Sequence, residues 1–418
     1  MQRSGFTHDL IRPSSGEGSS RVTYVELFFD LVFVFAVTQV SHILIDDQSD
    51  LALVHTIMLA LVVWWAWVDT TWAASWLNPE RGLVRGLFIA LMALGLLMSS
   101  AIPDSFGDRA ALFAISLVTL NLVRSLFTAL AFAERQPGHA VNFVRISVWQ
   151  ASSGVLWIVG AFSPGTWQLW IWLAALVIDY LGPRARFWTP GLRSSPLNTW
   201  DVSGGHMSER VSLFVIIALG ESIVDSGMGF SQRPLNPFSA WAFLAGFAGT
   251  VLMWFLYFNH AQRAASEYLI RARERGLIAQ VAFTYIPALL ILGVILAAVA
   301  NGLVIAAGAR WWAIGLLCTA SAVYLLGNMF FKRASGGPLL FAHLIGAAVL
   351  VVLFGGCVLV AAAYGDDAVT PLVISWAVNA VLLLVVIADE MAFRRRSGSG
   401  ATGHDGSGAT GRDGSELG

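Results

Sequence analysis

The sequence is poor in charge. Asp, Glu, Lys and Arg make up 12% of its 418 residues, about half the share usual in soluble domains. A soluble chain of this length divides into domains that each need a charged surface, so this scarcity argues against a soluble globular protein. Lysine is almost missing: Lys332 stands alone among the basic residues, and the formal net charge is −1. No basic stretch with interleaved aromatics occurs, which leaves no footprint for a nucleic-acid partner. Cysteine is equally scarce. Cys318 and Cys357 both lie in apolar segments, so neither a disulfide framework nor a cysteine metal site is expected. The metal, phosphate, dinucleotide and nucleophile-elbow motifs of common enzymes are missing too. No cleavable signal is expected, because Met1–Arg21 is polar and rich in glycine and serine.

What the chain has in abundance is apolar length. Fifty-seven per cent of its residues are hydrophobic, gathered in twelve runs that begin with 24–45 and end with 370–391. The shortest is the sixth, 166–181. Runs of about 17–25 apolar residues have the length of membrane helices. Backbone hydrogen bonding in lipid requires continuous helices, and these runs lack the alternation of a β-barrel. The expected fold is therefore all-α, a polytopic membrane bundle of about twelve spans.

Loop charges orient it. With the N-terminus placed in the cytoplasm, the loops on the opposite side hold only Arg109, Arg233 and Arg310, while carrying Asp46, Asp47, Asp50, Asp104, Asp108, Asp366 and Asp367. The cytoplasmic segments take most of the others, including Arg184, Arg186, Arg193, Lys332, Arg333 and Arg394–Arg396. This positive-inside bias predicts an inner-membrane protein with both termini cytoplasmic. The chain then reads as a polar segment 1–21, a first half-bundle 22–181, a central cytoplasmic loop 182–208 and a second half-bundle 209–391. A basic tail, 392–418, turns glycine- and serine-rich from Ser397 and is expected to be disordered. The division suggests a 6+6 arrangement such as many transporters have. Trp64, Trp65, Trp67, Trp72 and Trp76 around the second run, and Trp167, Trp170 and Trp172 in the sixth, are expected to be interfacial anchors.

Ionisable residues at lipid depth are costly and mark an interior or a water path. In the first run, Thr23 and Glu26 have capping-box spacing, a structural role for Glu26. Asp30 is one turn deeper and has no such role. At 100° per residue, Glu26, Asp30, Thr38 and Ser41 form one polar stripe. In the seventh run the same arithmetic groups His206, Arg210, Glu221 and Asp225, while Glu209 points away toward the helix start. Glu221 and Asp225 are two acids one turn apart, which calls for a proton or a cation between them. Gly220 offers a place for close helix approach, with plain packing as the simpler reading. Arg124, in the fourth run beside Asn121, is the candidate countercharge for Glu221 or Asp30. Asp69, Asp179, Asn259, His260, Asn328 and Asp389 lie near cytoplasmic ends; each alone suits an interfacial role, and together they could line a vestibule.

Two motifs resemble a known family. Glu26-Leu-Phe-Phe-Asp30-Leu-Val-Phe-Val and His206-x-x-Glu209-Arg210, continuing to Gly220-Glu221, are similar to those of the bacterial low temperature requirement A family. The resemblance runs from about Val22 to Met391. It implies functional roles for Glu26, Asp30, His206, Glu209, Arg210 and Glu221. Val25 departs from a common leucine, which touches no chemistry. The family name describes growth in the cold and implies no reaction.

The residues favour an ion- or proton-coupled transporter, using Asp30 and Glu221 as binding groups and no cofactor beyond a proton or monovalent cation. A channel, an intramembrane enzyme acting on a lipid or quinone through His206, Glu209 and Asp30, and a cold-adaptation sensor or scaffold are the alternatives. The expected partners are membrane lipids and an ion or small solute; the oligomeric state is open between a single chain and a homodimer.

Overall fold

A computed structural model describes residues 10–12, 22–196, 204–259, 281–334 and 341–401. Among them are twelve long helices: α1 Tyr24–Asp46, α2 Asp50–Trp76, α3 Gly82–Ala101, α4 Ala110–Phe132, α5 Pro137–Ala161, α6 Thr166–Arg184, α7 Gly204–Ser231, α8 Pro237–Phe258, α9 Ile286–Ala306, α10 Arg310–Ala334, α11 Phe341–Tyr364 and α12 Pro371–Ala401. The protein is a polytopic helical membrane bundle. Ten of these helices are long and apolar enough to cross a membrane; α5 and α6 are the two that fall short. The reason is polar content: Asn142, Arg145, Gln150, Gln168 and Asp179 all lie in them and are buried. Even so, α5 packs lengthwise on α4 and α6 on α5. They form an antiparallel hairpin, so the alternation of helix direction is the same with or without them.

Local signals place the helix starts. Thr23 donates its N–H and its hydroxyl to Glu26 Oε2, both at 2.8 Å, which closes the predicted capping box. Ser49 accepts from the Ala52 N–H at the start of α2, and Asn236 from Ser239 at the start of α8. Pro137, Pro237 and Pro371 open their helices, where a missing N–H is harmless. Between α5 and α6 the chain turns at Gly165, whose φ of +55° suits glycine.

The packing order repeats. In the first half α1 lies on α2 and α3, α3 on α4, α4 on α5, α5 on α6, and α2 on α4 and α6. In the second half α7 lies on α8 and α9, α9 on α10, α10 on α11, α11 on α12, and α8 on α10 and α12. The halves meet where α1 and α2 touch α7 and α9. Along this seam α1 and α7 run parallel and in register, pairing Glu26 with His206, Asp30 with Arg210, Thr38 with Glu221 and His42 with Asp225. The far end of α12 returns to the level of the α1 start. Asn259, closing α8, bonds Glu390 at 3.3 Å, and α8 runs antiparallel to α7 through Phe230–Phe243 and Ser212–Tyr257.

Three expectations are corrected here. The central loop is shorter than 182–208, because α6 continues to Arg184 and α7 begins at Gly204; residues 197–203 lie outside the described residues. Trp64, Trp65, Trp67 and Trp72 are buried in the bundle instead of anchoring it at the lipid surface. Indole N–H groups among them have found acceptors inside: Trp64 donates to the Thr284 carbonyl (2.7 Å) and Trp72 to the Thr284 hydroxyl (2.8 Å). A π-turn at Val281–Tyr285 precedes α9, and such a turn frees a carbonyl for an outside donor. Trp172 is buried as well, whereas Trp167 and Trp170 are exposed as expected. Finally, helix α12 runs past Ser397 to Ala401; the remainder of the tail lies outside the described residues, as does His260.

Candidate functional site

The α1–α7 seam carries two polar layers. The first begins with the peptide segment 10–12, which docks on the end of α2: Arg12 N–H bonds the Trp76 carbonyl and Asn78 N–H the Leu10 carbonyl, both at 2.8 Å. Docking carries the Arg12 guanidinium to Glu26, 3.0 Å from Oε1 and 3.2 Å from Oε2. One ring nitrogen of His206 lies 2.9 Å from Glu26 Oε1 and the other 3.3 Å from Ser75 Oγ. One turn deeper, Arg210 Nη2 lies 2.6 Å from Asp30 Oδ1, and Nη1 is 3.6 Å from Glu26. Trp67 Nε1 donates to the same Asp30 oxygen at 2.7 Å. Glu26, Asp30, His206 and Arg210 have no solvent exposure. Two carboxylates face two guanidinium groups, so the formal charges cancel, as lipid depth demands.

This layer clamps α1, α2 and α7 together. Its buried atoms without a hydrogen bond are Asp30 Oδ2 and Arg210 Nε and Nη1. Trp67→Phe keeps the aromatic bulk and removes the donor to Asp30. It is expected to destabilise the protein by about 1.5–3 kcal/mol, as for a hydrogen bond to a charged group, lowering the thermal midpoint in detergent. An unchanged midpoint would mean that the indole bond contributes nothing.

The second layer lies about two turns further along α1. Thr38 hydrogen-bonds Glu221 through its hydroxyl. Asp225, one turn beyond Glu221, is buried, and neither of its carboxylate oxygens has a hydrogen bond. Its nearest basic group is the half-exposed His42, 3.9 Å away. No arginine or lysine forms an ion pair with either acid among the described residues. Ser222, between them in sequence, faces Thr250 of α8 at 3.4 Å. The expected grouping of His206, Arg210, Glu221 and Asp225 therefore separates into a charge-balanced layer and an acid-rich one. A helix face is continuous, but partners on α1 exist only where α1 carries polar residues.

Arg124 serves neither layer. Helix α4 packs on α2, α3 and α5, so Arg124 meets Asp69 at 3.0 Å and the Thr70 hydroxyl at 3.1 Å inside the first half. Gln150 also donates to Asp69, at 3.0 Å, and accepts from Ser125 at 2.7 Å. Close by in α5 and α6, Ser153 and Trp157 both donate to Asp179. Asp69 and Asp179 thus belong to a buried network within the first half, while Asn328 and Asp389 lie in the second. Glu209 is half-buried on α7 and joins none of these groups. A β-carbon added to Gly220 would meet nothing within 4 Å, so Gly220 makes no close helix contact.

Sequence reading missed Arg12, Trp67, Thr71 and Ser75. The last three had a signal: they recur every four residues on α2, one polar stripe facing the seam. Arg12 had none, because its position depends on segment 10–12 docking on the end of α2. Among the described residues no three His, Cys, Asp or Glu side chains gather closely enough to hold a metal ion.

The sequence matches the family described as bacterial low temperature requirement A protein (LtrA) over residues 21–387. It is 32% identical over 403 residues to an uncharacterized protein of Rhizobium meliloti (strain 1021), a match covering 94% of this chain and 95% of that relative.

Proposed function

Because this chain belongs to the bacterial low temperature requirement A family, whose name states no chemistry, we propose its function from the seam: an ion- or proton-coupled transporter, with both termini in the cytoplasm. The observation that carries this reading is the acid-rich layer. Glu221 and Asp225 stand one turn apart on α7 at the junction of the two half-bundles, with only Thr38 and His42 opposite. Two carboxylates in low dielectric with no arginine or lysine partner among the described residues take up a proton or a cation. A site at the contact of two similarly packed halves can be reached from alternate sides as the halves rock, the arrangement familiar in secondary transporters. In this reading the Arg12–Glu26–Arg210–Asp30 layer closes the seam on the basic side of the bundle. The side assignment rests on loop charge: Arg81, Arg135, Arg184 and Lys332 fall at the end where α1 starts.

The test is reconstitution in liposomes with a pH gradient and a panel of ions and small metabolites. Glu221→Gln and Asp225→Asn are each expected to lower gradient-driven flux at least tenfold. Neither variant breaks an arginine pair, so both should remain folded and monodisperse. Flux equal in the variants and wild type, or indistinguishable from empty liposomes for all three across the panel, counts against transport through this layer.

A further inference from the structure

We propose that Asp389, His343, Lys332 and Asn328 form a second proton-binding site, in the second half-bundle, in which Lys332 and His343 compete for one carboxylate oxygen of Asp389. This site is separate from the seam and does not depend on the transport reading. Its location follows from close packing of three helices. A β-carbon on Gly346 of α11 would approach Val385 of α12 to 2.7 Å and Leu325 of α10 to 3.0 Å. One turn toward the end of the bundle, the same three helices bring in His343, Asp389 and Asn328, with Lys332 one turn further still.

The geometry is that of a shared acceptor. Lys332 Nζ lies 2.6 Å from Asp389 Oδ2, and His343 Nε2 lies 3.5 Å from the same oxygen. His343 and Asn328 are fully buried. Neither ring nitrogen of His343, neither amide atom of Asn328, nor Asp389 Oδ1 has a hydrogen bond. Buried polar atoms are nearly always bonded, so five such atoms together mark a place built for more than packing. The corresponding helices of the first half, α4, α5 and α6, carry a comparable group that is bonded, partly through Asp69 of α2: Arg124 to Asp69, Gln150 to Asp69 and Ser125, and Asp179 to Ser153 and Trp157.

A proton adds to the free ring nitrogen of His343, and the imidazolium takes Asp389 Oδ2. The Lys332 ammonium withdraws along the last turn of α10, where its aliphatic stem lets the head reach water. Buried charge stays balanced throughout: one carboxylate keeps one cation, and only the cation's identity changes. Among the described side chains, the other charged and titratable groups nearby on the packed helices are engaged elsewhere or exposed. Glu390 bonds Asn259 and Arg394, Tyr257 meets Ser212, Tyr324 donates to the Met253 carbonyl, and Arg333 is exposed.

Histidine-selective nitrogen labelling of the full chain in lipid nanodiscs tests this, with His343→Gln assigning the resonance. Wild-type His343 is expected to gain a proton reversibly as pH falls from 7 to 4. In Lys332→Met, which removes the competitor, the imidazolium fraction at pH 5 should rise at least threefold. In Asp389→Asn it should fall at least threefold. A His343 that stays neutral to pH 4 in both wild type and Lys332→Met, or an imidazolium fraction unchanged by Lys332→Met, overturns the proposal. If Asp389→Asn does not fold, Lys332→Met decides alone. The readout is protonation, so the result stands whether or not the seam transports.

Discussion

Replacing Arg210 by methionine is expected to destabilise the protein by about 3–5 kcal/mol, the usual effect of stranding one partner of a buried ion pair. Methionine fills much of the volume of arginine but brings no charge. Asp30 would then keep only the Trp67 indole, 2.7 Å away, and a lone carboxylate at lipid depth must take a proton or draw in water. Glu26 would suffer less, because Arg12 and His206 remain beside it. Lysine would not substitute well either. The guanidinium reaches Asp30 with one nitrogen and faces Glu26 with the other, a span that a point-charge ammonium does not match. The decisive control is Arg210→Met combined with Asp30→Asn. Asparagine still accepts from Trp67, so the double variant should recover most of the loss. Unfolding in detergent micelles would measure both. If Arg210→Met lies within about 1 kcal/mol of wild type, or the double variant is no better than the single, the layer is not the clamp described here.

The second large effect is expected at Gly293, in the middle of α9. A β-carbon there would stand 2.9 Å from Tyr324 Cβ, 3.0 Å from the Tyr324 nitrogen and 3.1 Å from the Ala320 carbonyl oxygen. Two of these three atoms are backbone, so no side chain can swing aside; α9 and α10 must separate. Gly293→Val should therefore destabilise by about 3 kcal/mol or more, at the upper end of overpacking effects. Helix α9 also touches α1, α2 and α7, so the displacement would reach the seam. Gly220→Ala supplies the contrast. Its new methyl meets open space, and helix propensity favours alanine, so its midpoint should match wild type or exceed it. A Gly293→Val variant with a wild-type midpoint would mean that the α9–α10 contact is looser than these distances.

The two substitutions separate what a sequence displays from what it conceals. Gly220 sits beside Glu221 in a distinctive motif and invites a packing role, whereas Gly293 lies unmarked in Leu292-Gly-Val294. Small residues permit close approach, but which of them a neighbouring helix exploits depends on where that neighbour lies. Charge behaves the same way. Asp30 and Arg210 were legible as buried ionisable groups on inward faces, because burial follows from position in an apolar run. Their pairing was not legible, and Arg124 is an equally good cation by sequence. Tryptophan was misread for a related reason: an indole prefers the headgroup level only when no acceptor waits inside, and Thr284 and Asp30 are acceptors from distant helices.

By itself, then, the sequence determined that the chain lies in a membrane as an all-α bundle, where most helices begin and end, and which faces of α1 and α7 are polar. These properties are sums over neighbouring residues: hydrophobic length, capping and a 100° turn per residue act locally and need no partner. The tertiary structure alone decided that Arg210 and Arg12 balance Glu26 and Asp30, that Arg124 belongs to Asp69, and that Glu221 and Asp225 have no arginine or lysine partner among the described residues. Electrostatic pairing in lipid is a matter of a few ångströms across helices far apart in the chain. Only the packing of α4 away from the seam, and of α1 against α7 in register, sets those distances.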